Sequence, residues 1–98
     1  MASKTISNVA QELLPNNSNR KSFVVQNEDS TDIVYIKFER SENTSVSSTD
    51  HDHRLGPGGA LALNYNNDGI KQIQSRITVI ASANTPRISY FETEDLQR

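Results

Sequence analysis

The sequence predicts an all-β protein that folds as a single compact antiparallel β-sandwich of about seven short strands. Three observations lead to this fold class. Short apolar runs are rich in β-branched and aromatic residues, polar turns separate them about every ten residues, and apolar and polar side chains alternate within them. Strands at this spacing are typical of sandwiches, and both a jelly-roll-like and an immunoglobulin-like arrangement fit.

The strand signal is carried by short segments in which every second side chain is apolar. In one of them Val34, Ile36 and Phe38 share a face and Lys37 lies on the other, which puts one face on a core and the other in water or against a neighbour. The segments are residues 21–27 (KSFVVQN), 32–38 (DIVYIKF), 60–65 (ALALNY), 76–82 (RITVIAS) and 87–91 (RISYF).

The connectors between these segments carry turn-forming residues. GPGG at 56–59 combines the fixed φ of Pro57 with glycines that can adopt positive φ. NNDG at 66–69 is a strong turn signal. We expect NEDST at 27–31 to join the first two strands as a hairpin, and SANTP at 82–86 to close the last hairpin.

The N-terminal segment, residues 1–14, is predicted to be an arm or an edge strand beside a sandwich domain that covers residues 15–98. Ile6, Val9 and Leu13 fall at helical spacing, so an amphipathic helix of about two to three turns is one alternative. An extended strand or arm, anchored by its final pair of leucines, is the other. A proline and the NNSN stretch end the element in either case.

A long polar stretch, Glu39 to Asp50, contains Val46 as its one apolar residue. It predicts a long loop or a loosely held strand. Long exposed loops often bind partners, and a flexible loop without such a role is the alternative.

Two histidines alternate with aspartates directly after this stretch. If the segment is a strand, His51 and His53 point to the same side, where two imidazoles could hold zinc, nickel or copper. A third ligand would be needed, and the sequence contains no further histidine. We therefore interpret the segment as a polar strand end before the GPGG turn, and we expect no metal and no other cofactor.

Composition narrows the class of function. The 98 residues make one domain, and the lack of cysteine excludes disulfides and thiolate chemistry. The net charge of -2 without a basic stripe argues against nucleic acid, and no apolar stretch reaches the ~20 residues that span a bilayer. We expect no signal peptide. No catalytic motif is present, so we expect no enzyme.

Three stretches also share a pattern with a known group of proteins. They are LLPNNSNRKSFVVQNEDSTDIVYIKF (13–38), HRLGPGGALAL (53–63) and VIASANTPRISYFE (79–92). Together they resemble small virion proteins of tailed bacteriophages, of the head decoration, cement or head-fibre type. That group opens with L-L-P-x-N-x-x-R, places a P-G-G turn before a strand and closes with a hairpin. The resemblance implies a β-sandwich and a virion setting.

The resemblance implies that the chain, made in the host cytoplasm, binds the outer surface of the phage head as a decoration or cement subunit that stabilises the shell. Its partner would be the major capsid protein. We expect a homo-oligomer, with a trimer favoured, and neither nucleic acid nor membrane as a partner. The residues expected to contact the capsid are Ile6, Val9, Leu13, Leu14, Arg20 and Lys21. The residues expected at the subunit interface are His51, His53, Arg54, Leu61, Leu63 and Tyr65.

A receptor- or glycan-binding module of a head or tail fibre is the alternative function. Aromatic rings stack on sugars, and Tyr35, Tyr65 and Tyr90 are the candidates for that role.

Overall fold

A computed structural model describes residues 2–39, 42–64, 74–83 and 86–94. These residues form eight β-strands and no α-helix, so the predicted all-β class is confirmed. The described part of the chain holds no helix that is long and apolar enough to cross a membrane. The strands are β1 (Ala2–Thr5), β2 (Gln11–Leu14), β3 (Arg20–Asn27), β4 (Val34–Glu39), β5 (His53–Leu55), β6 (Ala60–Asn64), β7 (Arg76–Ala81) and β8 (Arg87–Glu94).

The strands form two four-stranded antiparallel sheets in the orders β1-β8-β3-β6 and β2-β7-β4-β5. The first half of the chain pairs with the second half in reverse order, β1 with β8, β2 with β7, β3 with β6 and β4 with β5. The chain is therefore one long hairpin rolled into two layers. This is the jelly-roll arrangement, and it decides between the two sandwich topologies that the sequence left open.

The core lies between the two sheets and is filled by alternate residues of the strands. The predicted inner face of β4 is confirmed, because Val34, Ile36 and Phe38 are all buried. The same holds for Ile77 and Val79 of β7. The remaining members of the buried cluster are Ile6, Leu13, Phe23, Val25, Leu55, Ala81 and Ile88.

The connections at 27–31 and 82–86 are not hairpins, and that prediction was wrong. β3 and β4 belong to different sheets, and so do β7 and β8. Asn27 holds the first crossing, since its buried side-chain amide donates to the carbonyl oxygens of Asp32 (2.8 Å), Leu55 (3.2 Å) and Gly56 (3.1 Å). The amide thereby joins the end of β3 to the turn that follows β5.

The N-terminal segment is two edge strands rather than a helix, one at the edge of each sheet. The crossing between them is fixed by backbone hydrogen bonds from Ile6 N–H to the Pro86 carbonyl (2.8 Å) and from Ala81 N–H to the Ser7 carbonyl (2.9 Å). Ile6 is fully buried, whereas Val9 at the following bend is 67% exposed. The helical spacing of the apolar residues therefore does not mark one apolar face.

The turn at 56–59 has the predicted conformation. Gly58 adopts a φ of 73°, and the Gly59 N–H donates to the Gly56 carbonyl at 2.9 Å. With proline second and a positive-φ glycine third, this matches a type II turn. The NNDG turn lies outside the described residues.

We predict that Asn27→Leu lowers the free energy of unfolding by about 2–4 kcal/mol, because buried carbonyl oxygens lose their donor. Urea unfolding followed by circular dichroism measures the change. Gln26→Leu is the control, since the neighbouring side chain is exposed on the other face, and its effect should stay within about 0.5 kcal/mol. Equal midpoints for the two variants would contradict the structural role of Asn27.

Candidate interaction surface

The outer faces of the two sheets differ in what covers them. A loop formed by residues 42–52, here named the roof loop, folds back over the outer face of the β2-β7-β4-β5 sheet. Its single apolar residue, Val46, is buried although it is not part of the main core. The outer face of the β1-β8-β3-β6 sheet carries no comparable loop among the described residues, and it is here named the bare face.

Two charged side chains of β4, Lys37 and Glu39, form hydrogen bonds with the roof loop. The Lys37 ammonium donates to the Ser45 hydroxyl and to the Asp50 carboxylate, both at 2.7 Å. The buried Glu39 carboxylate accepts from the Ser45 N–H at 2.7 Å and from the Thr78 hydroxyl at 3.0 Å. The Lys37 ammonium and the Glu39 carboxylate are 3.7 Å apart, and together with Asp50 they form the roof-loop cluster.

Further bonds close the two ends of the roof loop. Arg76 donates to the Thr44 hydroxyl (2.9 Å) and to the Asn43 carbonyl (2.8 Å). At the other end the Asp52 carboxylate accepts from the Phe38 N–H at 2.8 Å. The roof loop therefore packs on the outer face of the sheet and does not project from it.

The cluster sets the pKa values of its members. Burial raises the pKa of Glu39, but hydrogen bonds from Ser45 and Thr78 outweigh it and hold the pKa below its ordinary 4.5. The hydrogen bond from Lys37 lowers the pKa of Asp50 below 3.8, and the same bond raises the pKa of Lys37 above 10.5. All three groups are therefore charged at neutral pH.

The two histidines contact different side chains and do not form a shared site. The His51 ring lies 4.7 Å from the Tyr35 ring, and its Nδ1 is 3.1 Å from the Ser47 carbonyl. His53 meets the edge of the core residue Phe38 at 5.7 Å. Tyr35 and Phe38 lie on opposite faces of β4. The two histidines would point to one side only if both lay in a strand, and β5 begins only at His53.

The bare face carries polar and apolar side chains that lie in rows across the strands. Paired residues of an antiparallel ladder lie on the same face, so the register defines the rows. From β6 through β3 to β8 the rows are Asn64, Ser22 and Thr93, then Ala62, Val24 and Phe91, then Ala60, Gln26 and Ser89, which Ser3 of β1 extends.

No ionisable side chain belongs to these described rows. The central row is apolar, and Phe91 is 40% exposed, which is high for a large apolar side chain on a strand. The charges begin at one end of the face, where Glu28 accepts from the Ser89 hydroxyl and lies 3.7 Å from Arg87. With strands ~4.8 Å apart and rows ~6.8 Å apart, each position covers about 33 Å², so the residues of these rows cover about 330 Å².

Most residues that the sequence suggested for capsid contact lie inside the fold. Ile6 and Leu13 belong to the core, and Leu14 packs against it. Arg20 is 1% exposed. Val9 and Lys21 are exposed.

Arg20 instead ties three separated parts of the chain together. Its guanidinium donates to the carbonyl oxygens of Ser75 (2.8 Å) and Pro15 (2.7 Å), and it forms an ion pair with Glu92 of β8. A bulge in β3 between Arg20 and Ser22 accompanies this placement. The arginine is therefore a structural clamp and not a surface contact.

The suggested subunit-interface residues are spread over two regions. Leu61 and Leu63 lie on the inner side of β6 and pack against the core. Arg54 is exposed on β5, beside the two histidines. Tyr65 lies outside the described residues. The proposed sugar platform is also divided, because Tyr90 packs against the core while Tyr35 faces outward against His51.

The bare face itself was missed by sequence reasoning. Its signal is present in the sequence, since the positions of these rows hold alanine, valine, serine, threonine, asparagine, glutamine and one phenylalanine where charges are common on exposed strands. Only the register shows that Val24, Ala62 and Phe91 form one row.

Comparisons with protein-family models, with curated proteins and with solved structures gave no match for the chain. In the part of the chain that the structure describes, no group of three or more metal-ligating side chains is arranged to hold an ion. The geometry of the outer faces is therefore the basis for assigning a function.

We predict that acid weakens the fold through the roof-loop cluster. The folded-state pKa values of Glu39 and Asp50 are lowered, so their stabilising contribution is complete above the ordinary values of 4.5 and 3.8. It is lost as the pH falls through the folded values. The contribution of Lys37 has the opposite sense and is lost as the pH rises above its raised value.

Glu39→Gln tests this cluster by urea unfolding at neutral and acidic pH. The variant should be less stable at pH 7 by about 1–3 kcal/mol, and it should lose less stability on acidification than the unmodified chain. Glu42→Gln is the control, because Glu42 is exposed at the start of the loop. If Glu39→Gln showed the acid dependence of the unmodified chain, the role of this carboxylate would be refuted.

Proposed function

We propose that the chain is a virion structural protein that decorates or cements the outer surface of a phage head and stabilises the shell. The observation that carries the proposal is the bare face, whose rows hold no ionisable side chain and one exposed aromatic ring. Such patches on soluble proteins mark sites of protein contact. The resemblance of three stretches of the sequence to head decoration proteins supplies the identity of the partner, the major capsid protein.

The difference between the two outer faces supports an orientation on the shell. The roof loop covers one sheet with charged and hydroxyl groups, which suits contact with water. The bare face on the opposite side is suited to lie against the capsid, because few charges have to be stripped of water there. In this arrangement the central row of Ala62, Val24 and Phe91 contacts the shell.

The size of the bare face supports action in many copies. Stable one-to-one protein interfaces bury about 800 Å² on each partner, more than twice the area of this face. A single copy would therefore bind weakly. A homo-oligomer, for which the sequence favours a trimer, would bind by several such faces at once and gain affinity through multivalency.

Glycan binding is a second candidate, and one observation favours it. Phe91 pairs with Val24, and the rows on either side carry the hydroxyl groups of Ser22 and Thr93 and the amide of Gln26. An aromatic ring near neutral polar groups is a common surface for sugars. Jelly rolls also occur in lectin domains. In this case the same face would bind a receptor or a surface glycan.

We predict that Phe91→Asp abolishes binding to the head, because it places an unpaired charge in the apolar row of the contact surface. The measurement is co-sedimentation of the purified chain with capsids assembled from the major capsid protein of the same genome. Ser48→Asp adds the same charge to the exposed tip of the roof loop and should leave binding unchanged.

Two results would contradict the decoration role. One is a chain that never sediments with assembled capsids, and the other is equal loss of binding in the two variants. A glycan array probed with the unmodified chain and with Phe91→Asp separates the second candidate, since glycan signals that disappear in the variant would assign the face to sugars.

A further inference from the structure

The two sheets end in four edge strands, β1, β6, β2 and β5. An edge strand exposes unpaired backbone N–H and C=O groups and can pair with another chain. Natural proteins prevent this pairing with charges, prolines, bulges or very short strands. The edges of this protein can therefore be compared for such protection.

Three of the four edges are protected. In β1, Lys4 is paired with the core residue Ile88 and so lies on the inner side, which is a charged position that opposes pairing with a further strand. β2 contains a bulge between Glu12 and Leu14. β5 is only three residues long and carries Arg54 at its centre.

The fourth edge, β6, has none of these devices. Its sequence, ALALN, contains neither charge nor proline, and all five residues pair with β3 in one unbroken register. Among the described residues β3 is its only partner strand. Leu61 and Leu63 on its inner side are only partly buried, so the core is incompletely covered at this edge.

We propose that β6 is a self-association edge, which pairs antiparallel with β6 of a second copy across a twofold axis. A second copy fits this edge for two reasons. A strand without charge meets its own copy without like-charge repulsion, and leucine and alanine then face leucine and alanine on the inner and outer sides. The partly exposed leucines of each copy are covered by those of the other.

The pairing joins two four-stranded sheets into one continuous sheet with both bare faces on the same side, because the twofold axis is perpendicular to the sheet. The combined face measures about 650 Å², which approaches the ~800 Å² per partner of a standard interface. The proposal stands on the strand geometry alone and does not depend on the partner being a capsid. It replaces the trimer that the sequence favours with a twofold contact.

The test introduces a charge at Ala62, which is exposed on the outer side of β6. Sedimentation velocity of the unmodified chain should show a dimer at about 100 µM. Ala62→Lys and Ala62→Glu should each weaken dimerisation tenfold or more, so that each variant is mainly monomeric at the same concentration. The reason is that two equal charges would lie within ~8 Å of each other across the twofold axis. An equimolar mixture of the two variants should restore the dimer.

Ser3→Lys on the protected β1 edge is the matched control and should remain dimeric. Circular dichroism and urea midpoints of all variants establish that each one is folded, so a monomer cannot be ascribed to unfolding. A monomeric or trimeric unmodified chain would overturn the proposal, and so would a dimer that persists in both charged variants or a mixture that stays monomeric. Because capsid binding is measured separately, loss of the dimer and loss of the decoration role are distinguishable.

Discussion

The structure depends on one constraint, which is that a two-layer sandwich of short strands can bury only every second side chain. The inner positions of both sheets fill a single shared core, and the outer positions have to be covered or left in water. On one sheet the polar segment between β4 and β5 supplies a cover that is anchored by Lys37 and Glu39. On the other sheet nothing comparable is described, and the three rows of side chains that cross it hold no ionisable group.

The strands with clear apolar alternation were predictable from sequence, and β3, β4, β6, β7 and β8 fall within a few residues of the predicted segments. The local residue pattern does not show which strands pair with each other. Turn residues show that the chain reverses direction, but a reversal within one sheet and a crossing to the other use the same residue types. β1, β2 and β5 have only three or four residues each, which is too short for period two to be distinct.

The candidate surface was harder to predict than the fold. Arg20 was taken for a surface residue because charged side chains are rarely buried, yet its partners come from residues 5, 55 and 72 positions away. The bare face is likewise formed by residues from four strands that only the register brings together. The sequence shows which side chain stands at each position. Which side chains lie next to it in space depends on how the long hairpin is rolled into two sheets.

The order of the rolled hairpin also bears on how the protein is made. β8 lies between β1 and β3, so the last described strand is an interior strand of its sheet. During synthesis β1 emerges long before β8, which is its only described neighbour. Until β8 emerges, β3 lacks one of the two strands that it pairs with. Closure of the sheet has to wait for residues 87–94 to leave the ribosome, and such non-local pairing is intrinsically slow. The bare face, which includes residues of β8, is therefore incomplete until this segment has been synthesised.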